Sequence, residues 1–209
     1  MRTAIVFGAT GLVGSELLKQ ILDDPDYGRV IIFVRRTTGI THEKLEEKII
    51  NFDELEKYFE FFIVNDVFWC LGSTIKKAGS KEEFRKIDLE YPLMVAKDGK
   101  AYIENFVLIS ALGADAKSSF FYNRIKGELE NKLEALNLKR LIIVRPSLIL
   151  GDRSESRRSE KIGQMIMPYL NPFIPKKNWR AIKASRIAEV MLKLRKGDTG
   201  IDDLKFKIY

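Results

Sequence analysis

Short apolar runs alternate with amphipathic stretches along most of the chain. Arg2–Phe7 reads as a strand, and residues 12–22 as a helix with Leu17, Leu18, Ile21 and Leu22 on one side. Further strands are expected at 30–34, 48–52, 66–71, 105–110 and 140–145, and helices at 53–59, 81–97 and 119–136. Ile31-Ile32-Phe33-Val34 and Leu141-Ile142-Ile143-Val144 are apolar at successive positions, as strands covered on both faces must be. Such alternation predicts an α/β fold with a doubly wound parallel sheet, in a single domain over residues 1–209. Residues 151–209, richer in charge and in proline (Pro168, Pro172, Pro175), are expected to form a small region covering the substrate side of the sheet.

Composition narrows the function. The chain has 209 residues, 45% hydrophobic and 31% charged, the balance of an ordinary globular domain. No apolar run approaches the roughly 18 residues that span a bilayer, and the stretch before Gly8 is too short for a signal-peptide core, so no membrane role is expected. Cys70 is the only cysteine, which rules out an intramolecular disulfide and makes the cytoplasm the expected location. His42 is the only histidine, which removes Ser-His-Asp chemistry and most zinc sites; no metal is expected. The net charge of +7 raises the question of nucleic acid. Acids are interleaved with the bases, however, as in Glu43-Lys44-Leu45-Glu46-Glu47-Lys48, the pattern of a solvated face. Local basic excess falls at Arg153, Arg157, Arg158 and Lys161, and at Lys176, Lys177, Arg180 and Lys183, where an anionic cofactor or substrate is one explanation and local salt bridges another. No nucleic-acid partner is expected.

The sharpest motif is Gly8-Ala9-Thr10-Gly11-Leu12-Val13-Gly14, a glycine-rich turn between the first strand and the first helix. Glycines there permit a tight reversal, let backbone N–H groups approach a pyrophosphate, and seat the helix close to the sheet. The helix N-terminus then presents unpaired N–H groups to the phosphates. In this context the turn predicts a Rossmann-like, dinucleotide-binding fold. The second strand ends in Val34-Arg35-Arg36, where sites for NAD carry an acid toward the ribose 2′-hydroxyl and sites for NADP an arginine. Arg35 and Arg36 therefore favour NADP(H) over NAD(H), unless they are simply surface arginines beyond a strand.

Tyr122 and Lys126 stand at i and i+4 on one expected helix face. A phenol of pKa near 10 is a poor acid or base at neutral pH unless a cation stabilises the phenolate, and Lys126 is expected both to lower it and to hold the nicotinamide ribose. Ser110 ends the fifth strand at the C-terminal sheet edge, where ligands of open α/β sheets bind. It is expected to hydrogen-bond a substrate carbonyl that Tyr122 protonates. Ser118 and Ser119 are expected to cap the following helix, and Cys70 to be a structural thiol in a buried strand. Trp179 near Arg180 reads as surface packing before it reads as a pocket floor.

On these residues the chain resembles the atypical branch of the short-chain dehydrogenase/reductase superfamily, and within it the Tat-interacting-protein group of NADP(H)-binding oxidoreductase-like proteins. The likeness covers nearly the whole chain. It is carried by the glycine turn, Val34-Arg35-Arg36, Cys70-Leu71-Gly72-Ser73-Thr74, Lys126-Gly127-Glu128, Arg145-Pro146 and the group-specific Asp152-Arg153-Ser154-Glu155-Ser156-Arg157. The resemblance implies that Leu71, Gly72 and Ser73 line the cofactor, that Pro146 and Ser147 approach the nicotinamide, and that Tyr122 and Lys126 are the catalytic pair. Asn51 stands where many relatives place an aspartate toward adenine, and Asp88 where an asparagine often completes a tetrad. Reduction of a small carbonyl substrate is the leading reading. A cofactor-sensing module that contacts a protein partner without turnover is the second, and an epimerase-like enzyme the third. Oligomeric state is open between monomer and homodimer, the helix at 119–136 lying on the face that relatives often use for dimers.

Overall fold

The computed structural model describes residues 1–150 and 181–209. Strand β1 (Arg2–Phe7) is followed by helix α1 (Leu12–Asp23), then β2 (Tyr27–Val34) and β3 (Leu45–Ile49). A 3-10 segment (Phe52–Phe62) leads to β4 (Asp66–Trp69). Helices α2 (Ile75–Ala78) and α3 (Lys81–Arg85) then run through a π-turn (Lys86–Glu90) into α4 (Tyr91–Gly99). Strand β5 (Asn105–Ile109), helix α5 (Phe121–Glu134) and β6 (Leu141–Arg145) continue the alternation. After them come β7 (Leu148–Leu150), β8 (Ala181–Lys183), α6 (Ala184–Lys196) and β9 (Lys205–Ile208).

The main sheet has the order β3-β2-β1-β4-β5-β6-β9, with β1 to β6 parallel and β9 antiparallel to β6. It is the Rossmann-like, doubly wound sheet that the alternation predicts. Strand order reverses between β1 and β4, so the crevice above their C-terminal ends is the switch point at which such sheets bind ligands.

Each face of the sheet carries its own core. Ala4, Val6, Val30, Ile32, Ile142 and Val144 face α1 and α6, whereas Ile5, Phe7, Ile31, Phe33, Ile143 and Trp69 face α4, α5 and the 3-10 segment. Alternate residues of one strand thus serve opposite cores, which is why the central strands read as continuous apolar runs. Phe7 stacks on Trp69 at 4.3 Å and meets Phe33 edge-on at 5.4 Å, so the second core is built around an aromatic cluster.

Below the sheet, at the N-terminal ends of the strands, Asp66 is fully buried. Its carboxylate accepts from Arg2 Nε and Nη2 at 2.8 Å each, from the Tyr27 hydroxyl at 2.7 Å and from Asn105 Nδ2 at 2.7 Å. Arg195 of α6 lies 3.7 Å from it, with its guanidinium over the Tyr27 ring at 4.8 Å. Burial, then the Asp66 charge, pushes the Tyr27 phenol far above its ordinary value. One carboxylate therefore ties β1, β2, β4, β5 and the last helix together.

Several expected elements sit elsewhere. The third strand is Leu45–Ile49, three residues before the expected 48–52. It is an edge strand, so Glu46, Glu47 and Lys48 are tolerated within it, and the apolar Ile50 and Phe52 that suggested a later strand lead into the 3-10 segment. That segment replaces the expected helix at 53–59 and is kinked at Glu54 and Tyr58. The helix expected at 81–97 is broken by the π-turn. Ser118 and Ser119 do not cap α5: its N-cap position is Phe120, with no side-chain cap. Ser118 Oγ accepts instead from Phe120 N at 3.2 Å, within the turn before the helix. Residues 181–209 are not simply a cover, because α6 completes one core and β9 adds a strand to the sheet. The Asp152–Arg157 string, the prolines, the basic residues Arg153, Arg157, Arg158, Lys161, Lys176, Lys177 and Arg180, and Trp179 lie outside the described residues.

Candidate functional site

The glycine turn is built as a cradle. Gly8 has φ +78°, and a Cβ there would lie 2.6 Å from Leu71 N; a Cβ on Gly14 would lie 2.1 Å from Gly8 O. Both positions exclude any larger residue, the first by conformation and contact, the second because α1 packs directly on the turn. Gly11 occupies the N-cap in extended conformation and no side chain caps α1, so no side chain competes for the N–H groups of its first turn, Leu12, Val13 and Gly14. Thr10 and Gly11 are exposed at the mouth. This geometry fits a pyrophosphate.

Arg35 and Arg36 follow β2 on the same edge, both exposed, and neither has an ion pair with any described residue. Glu47, on the neighbouring strand, is committed elsewhere: it accepts from Thr38 Oγ1 at 2.5 Å and Thr38 N at 2.9 Å. Those bonds, with one from Thr37, hold its carboxyl below the ordinary range and pin the loop after the arginines. Asn51 is exposed, but its side-chain oxygen accepts from Asp53 N at 3.1 Å as the cap of the 3-10 segment. Its amide N–H₂ is the part left for a ligand.

Beside Gly8 runs the loop Leu71-Gly72-Ser73. Asp88, on the π-turn and 1% exposed, accepts from Ser73 N at 2.8 Å through Oδ2, and its Oδ1 lies 2.7 Å from Lys126 Nζ. A Cβ on Gly72 would sit 3.2 Å from Asp88 Oδ1 and 3.7 Å from Lys126 Nζ. The glycine turn, the loop after β4 and the Tyr122–Lys126 helix are therefore contiguous. π-Turns often mark functional sites because the extra residue re-aims a side chain, and here it delivers Asp88.

The electrostatics correct one expectation. Tyr122 is raised above its ordinary value, not lowered: burial leads, Lys126 opposes it, and Asp88 adds to it. The Lys126 ammonium loses from burial, but Asp88 and then Tyr122 and Glu130 more than restore it, so its pKa is raised too. Lys126 stays cationic, but its pull on the phenol is outweighed by burial, with Asp88 adding to the rise. The Tyr122 hydroxyl has no hydrogen-bond partner among the described residues, and its ring packs 5.8 Å from Phe84.

Ser110 lies just past β5, buried, with its N–H bonded to Val144 O. Its hydroxyl donates to Glu130 Oε1 at 2.5 Å rather than standing open to a ligand. Pro146 accepts from Leu112 N at 3.0 Å through its carbonyl, and Ser147 lines a cleft of about 520 Å³ with Leu112, Arg145, Ile182 and residues 201–206. Cys70 follows β4 rather than lying within it, and burial pushes its thiol up, against reactivity. Sequence reading missed Glu130 and the Asp88–Lys126 pair. The available signal for Glu130 was an acid at i+8 from Tyr122 on a face otherwise buried.

No family model matches the chain. It is 38% identical over 164 residues to Protein HTATIP2 of Rattus norvegicus, covering 76% of this chain and 67% of that protein. It is 37% identical over 165 residues to the mitochondrial Protein FMP52-1 of Scheffersomyces stipitis, covering 74% and 70%. Among solved structures, the Bordetella bronchiseptica enzyme WbmH, in complex with NAD+, superposes with a TM-score of 0.70 at 14% identity, over 94% of this chain and 73% of the other. That last likeness is one of fold. The fungal relatives are mitochondrial proteins, which overturns the cytoplasmic expectation. A single cysteine excludes an internal disulfide in any compartment, so it never carried that information. Among the described residues no helix is long and apolar enough to cross a membrane.

Proposed function

Because the chain belongs to the family of Protein HTATIP2 and the FMP52 proteins, within the atypical short-chain dehydrogenase/reductases, we propose that it is an NADP(H)-dependent oxidoreductase acting on a small carbonyl or alcohol. The observation that carries this is the contiguity of Gly8, Leu71, Gly72, Asp88 and Lys126, which joins the anion cradle to the helix bearing Tyr122. Leu12, Val13 and Gly14 would bind the pyrophosphate through backbone N–H groups, with Gly8 and Thr10 shaping the turn. Arg35 and Arg36 would hold the 2′-phosphate, Asn51 would face the adenine, and Leu71, Gly72, Ser73, Pro146 and Ser147 would line the nicotinamide half. When bound, the nicotinamide supplies or accepts the hydride. Lys126 keeps enough donors beyond Asp88 to hold a ribose hydroxyl. Tyr122 delivers the proton to the substrate oxygen in reduction and removes it in oxidation. Residues 201–206 and Leu112 would form one wall of the substrate cleft.

The reading is tested by titrating NADPH and NADH by fluorescence. NADPH is expected to bind much more tightly. R35S/R36S is expected to weaken NADPH by about tenfold to a hundredfold, as two charge-assisted contacts are lost, and to leave NADH nearly unchanged. Equal affinity for both cofactors in the native chain would remove the preference.

The raised Tyr122 pKa gives a pH dependence whose sign differs with direction. Reduction uses the phenol, which is present throughout the neutral range, so reduction is flat there and falls only above the ordinary tyrosine value. Oxidation uses the phenolate, so its rate climbs with pH from neutrality upward without a plateau near pH 7. D88N removes a charge that adds to the rise of Tyr122, and it also removes the group that most supports the buried Lys126 ammonium; with Lys126 still charged, the oxidation limb moves to lower pH. A limb that stays put or moves up in pH–rate profiles of D88N would contradict this account.

A further inference from the structure

Glu130 takes no part in the proposed reaction, yet it is buried beside it at 2% exposure. Tyr122, Lys126 and Glu130 follow one another along α5 at steps of four residues, which keeps them near one face. Glu130 is met from three sides. Ser110 Oγ from the end of β5 lies 2.5 Å from Oε1, and Arg145 Nε from β6 lies 2.9 Å and 3.1 Å from the two oxygens, with the Arg145 Nη2 group also on Oε2. Lys207 from β9 approaches Oε2 to 3.9 Å.

A carboxylate held by a guanidinium fork offers lone pairs only. The proton between Ser110 and Glu130 is therefore the serine's own, and a hydroxyl has one proton to give. Turned to Glu130, Ser110 presents lone pairs to any ligand, and donation to a carboxylate makes its oxygen a better acceptor. A carbonyl oxygen facing it would meet lone pair with lone pair. With Tyr122 as the phenol, a substrate hydroxyl would instead donate to Ser110 while accepting from Tyr122; in oxidation its one proton turns from Ser110 to the Tyr122 phenolate.

We infer that Glu130 is a positioning residue that holds the Ser110 proton, so that Ser110 accepts a hydrogen bond from the hydroxyl form of the substrate and Tyr122 alone donates to the substrate oxygen. This corrects the expectation that Ser110 donates to a carbonyl. It rests on the reading of Ser110 and Tyr122 as the reacting pair, whereas the assignment of the proton stands apart from any turnover.

Two measurements test it. In a C70S background, which leaves no other thiol, S110C places a titratable proton at the same position. Its thiolate absorbance is expected to appear well above the ordinary cysteine value of about 8.5. Adding E130Q brings the midpoint down by roughly one pH unit or more, a tenfold change in the equilibrium, and E130D, which keeps the charge, leaves it high. The same midpoint with and without the carboxylate would overturn the inference. The second measurement compares inhibition constants of a matched secondary alcohol and ketone on the NADP(H)-saturated protein. E130Q, whose amide held by Arg145 can donate to Ser110 and release its proton, is expected to shift the alcohol-to-ketone ratio about tenfold toward the ketone; an unmoved ratio would also overturn it. Absence of NADP(H) binding would defeat the proposed function, while the thiol titration would still decide the role of Glu130.

Discussion

Tyr122→Phe is expected to lower turnover by about 10²- to 10⁴-fold, the range for loss of a positioned acid or base, with NADP(H) binding unchanged. The substitution removes one oxygen and keeps the ring that packs on Phe84. That hydroxyl has no partner among the described residues, so its loss orphans no internal donor or acceptor and should cost little stability. The phenol is also in the right state for reduction, because burial and Asp88 keep it protonated at neutral pH. Steady-state kinetics on a panel of small carbonyls and alcohols, alongside a cofactor titration, separates the two effects. Unchanged turnover on a genuine substrate would refute Tyr122 as the proton donor. Tight cofactor binding by the native chain, with no turnover across the panel, would shift the reading to a cofactor-sensing module.

Asp66→Ala is expected to destabilise the fold by about 3–5 kcal/mol, the cost of breaking a buried ion pair by deleting one partner. For a chain of this size that corresponds to a fall in Tm of roughly 6–20 °C. The magnitude follows from what the carboxylate holds. Arg2, Tyr27 and Asn105 all donate to it, and Arg195 lies close by, already with a buried Nε lacking a hydrogen-bond partner. Without Asp66 those donors face one another across a site closed to water. Asp66→Asn retains an acceptor and is expected to cost less. Thermal unfolding followed by circular dichroism provides the check, and a loss below about 1 kcal/mol would mean that the network rearranges around the gap. Since Asp66 lies at the opposite ends of the strands from the glycine turn, NADP(H) affinity of the folded variant should be unaffected.

The features most legible in the sequence were those with a local period. Successive apolar positions in β2 and β6 mark strands buried on both faces, and the helix seated by Gly14 has its apolar side at Leu17, Leu18, Ile21 and Leu22. The edge strand β3 was placed late because an exposed edge tolerates charge, which erases the pattern. The capping assignment at Ser118 and Ser119 failed because Arg124 Nη1 donates to both of their carbonyls and Ser118 closes its own turn, so the helix starts further on. Frequent charge makes residues 184–196 read as part of a cover; the helix is amphipathic, and its apolar side lies against α1.

What the sequence by itself determined was the parallel α/β architecture, the glycine-rich turn between β1 and α1, the pair of arginines after β2 and the spacing of Tyr122 and Lys126. All of these rest on interactions between near neighbours in the chain. Tertiary structure decided the state of the site: Asp88 meeting Lys126, Glu130 accepting the Ser110 hydrogen bond under Arg145, and the Tyr122 phenol rising rather than falling. Those outcomes depend on residues far apart in sequence that strand order brings within hydrogen-bond distance, in surroundings dry enough for burial and a second charge to outweigh the lysine.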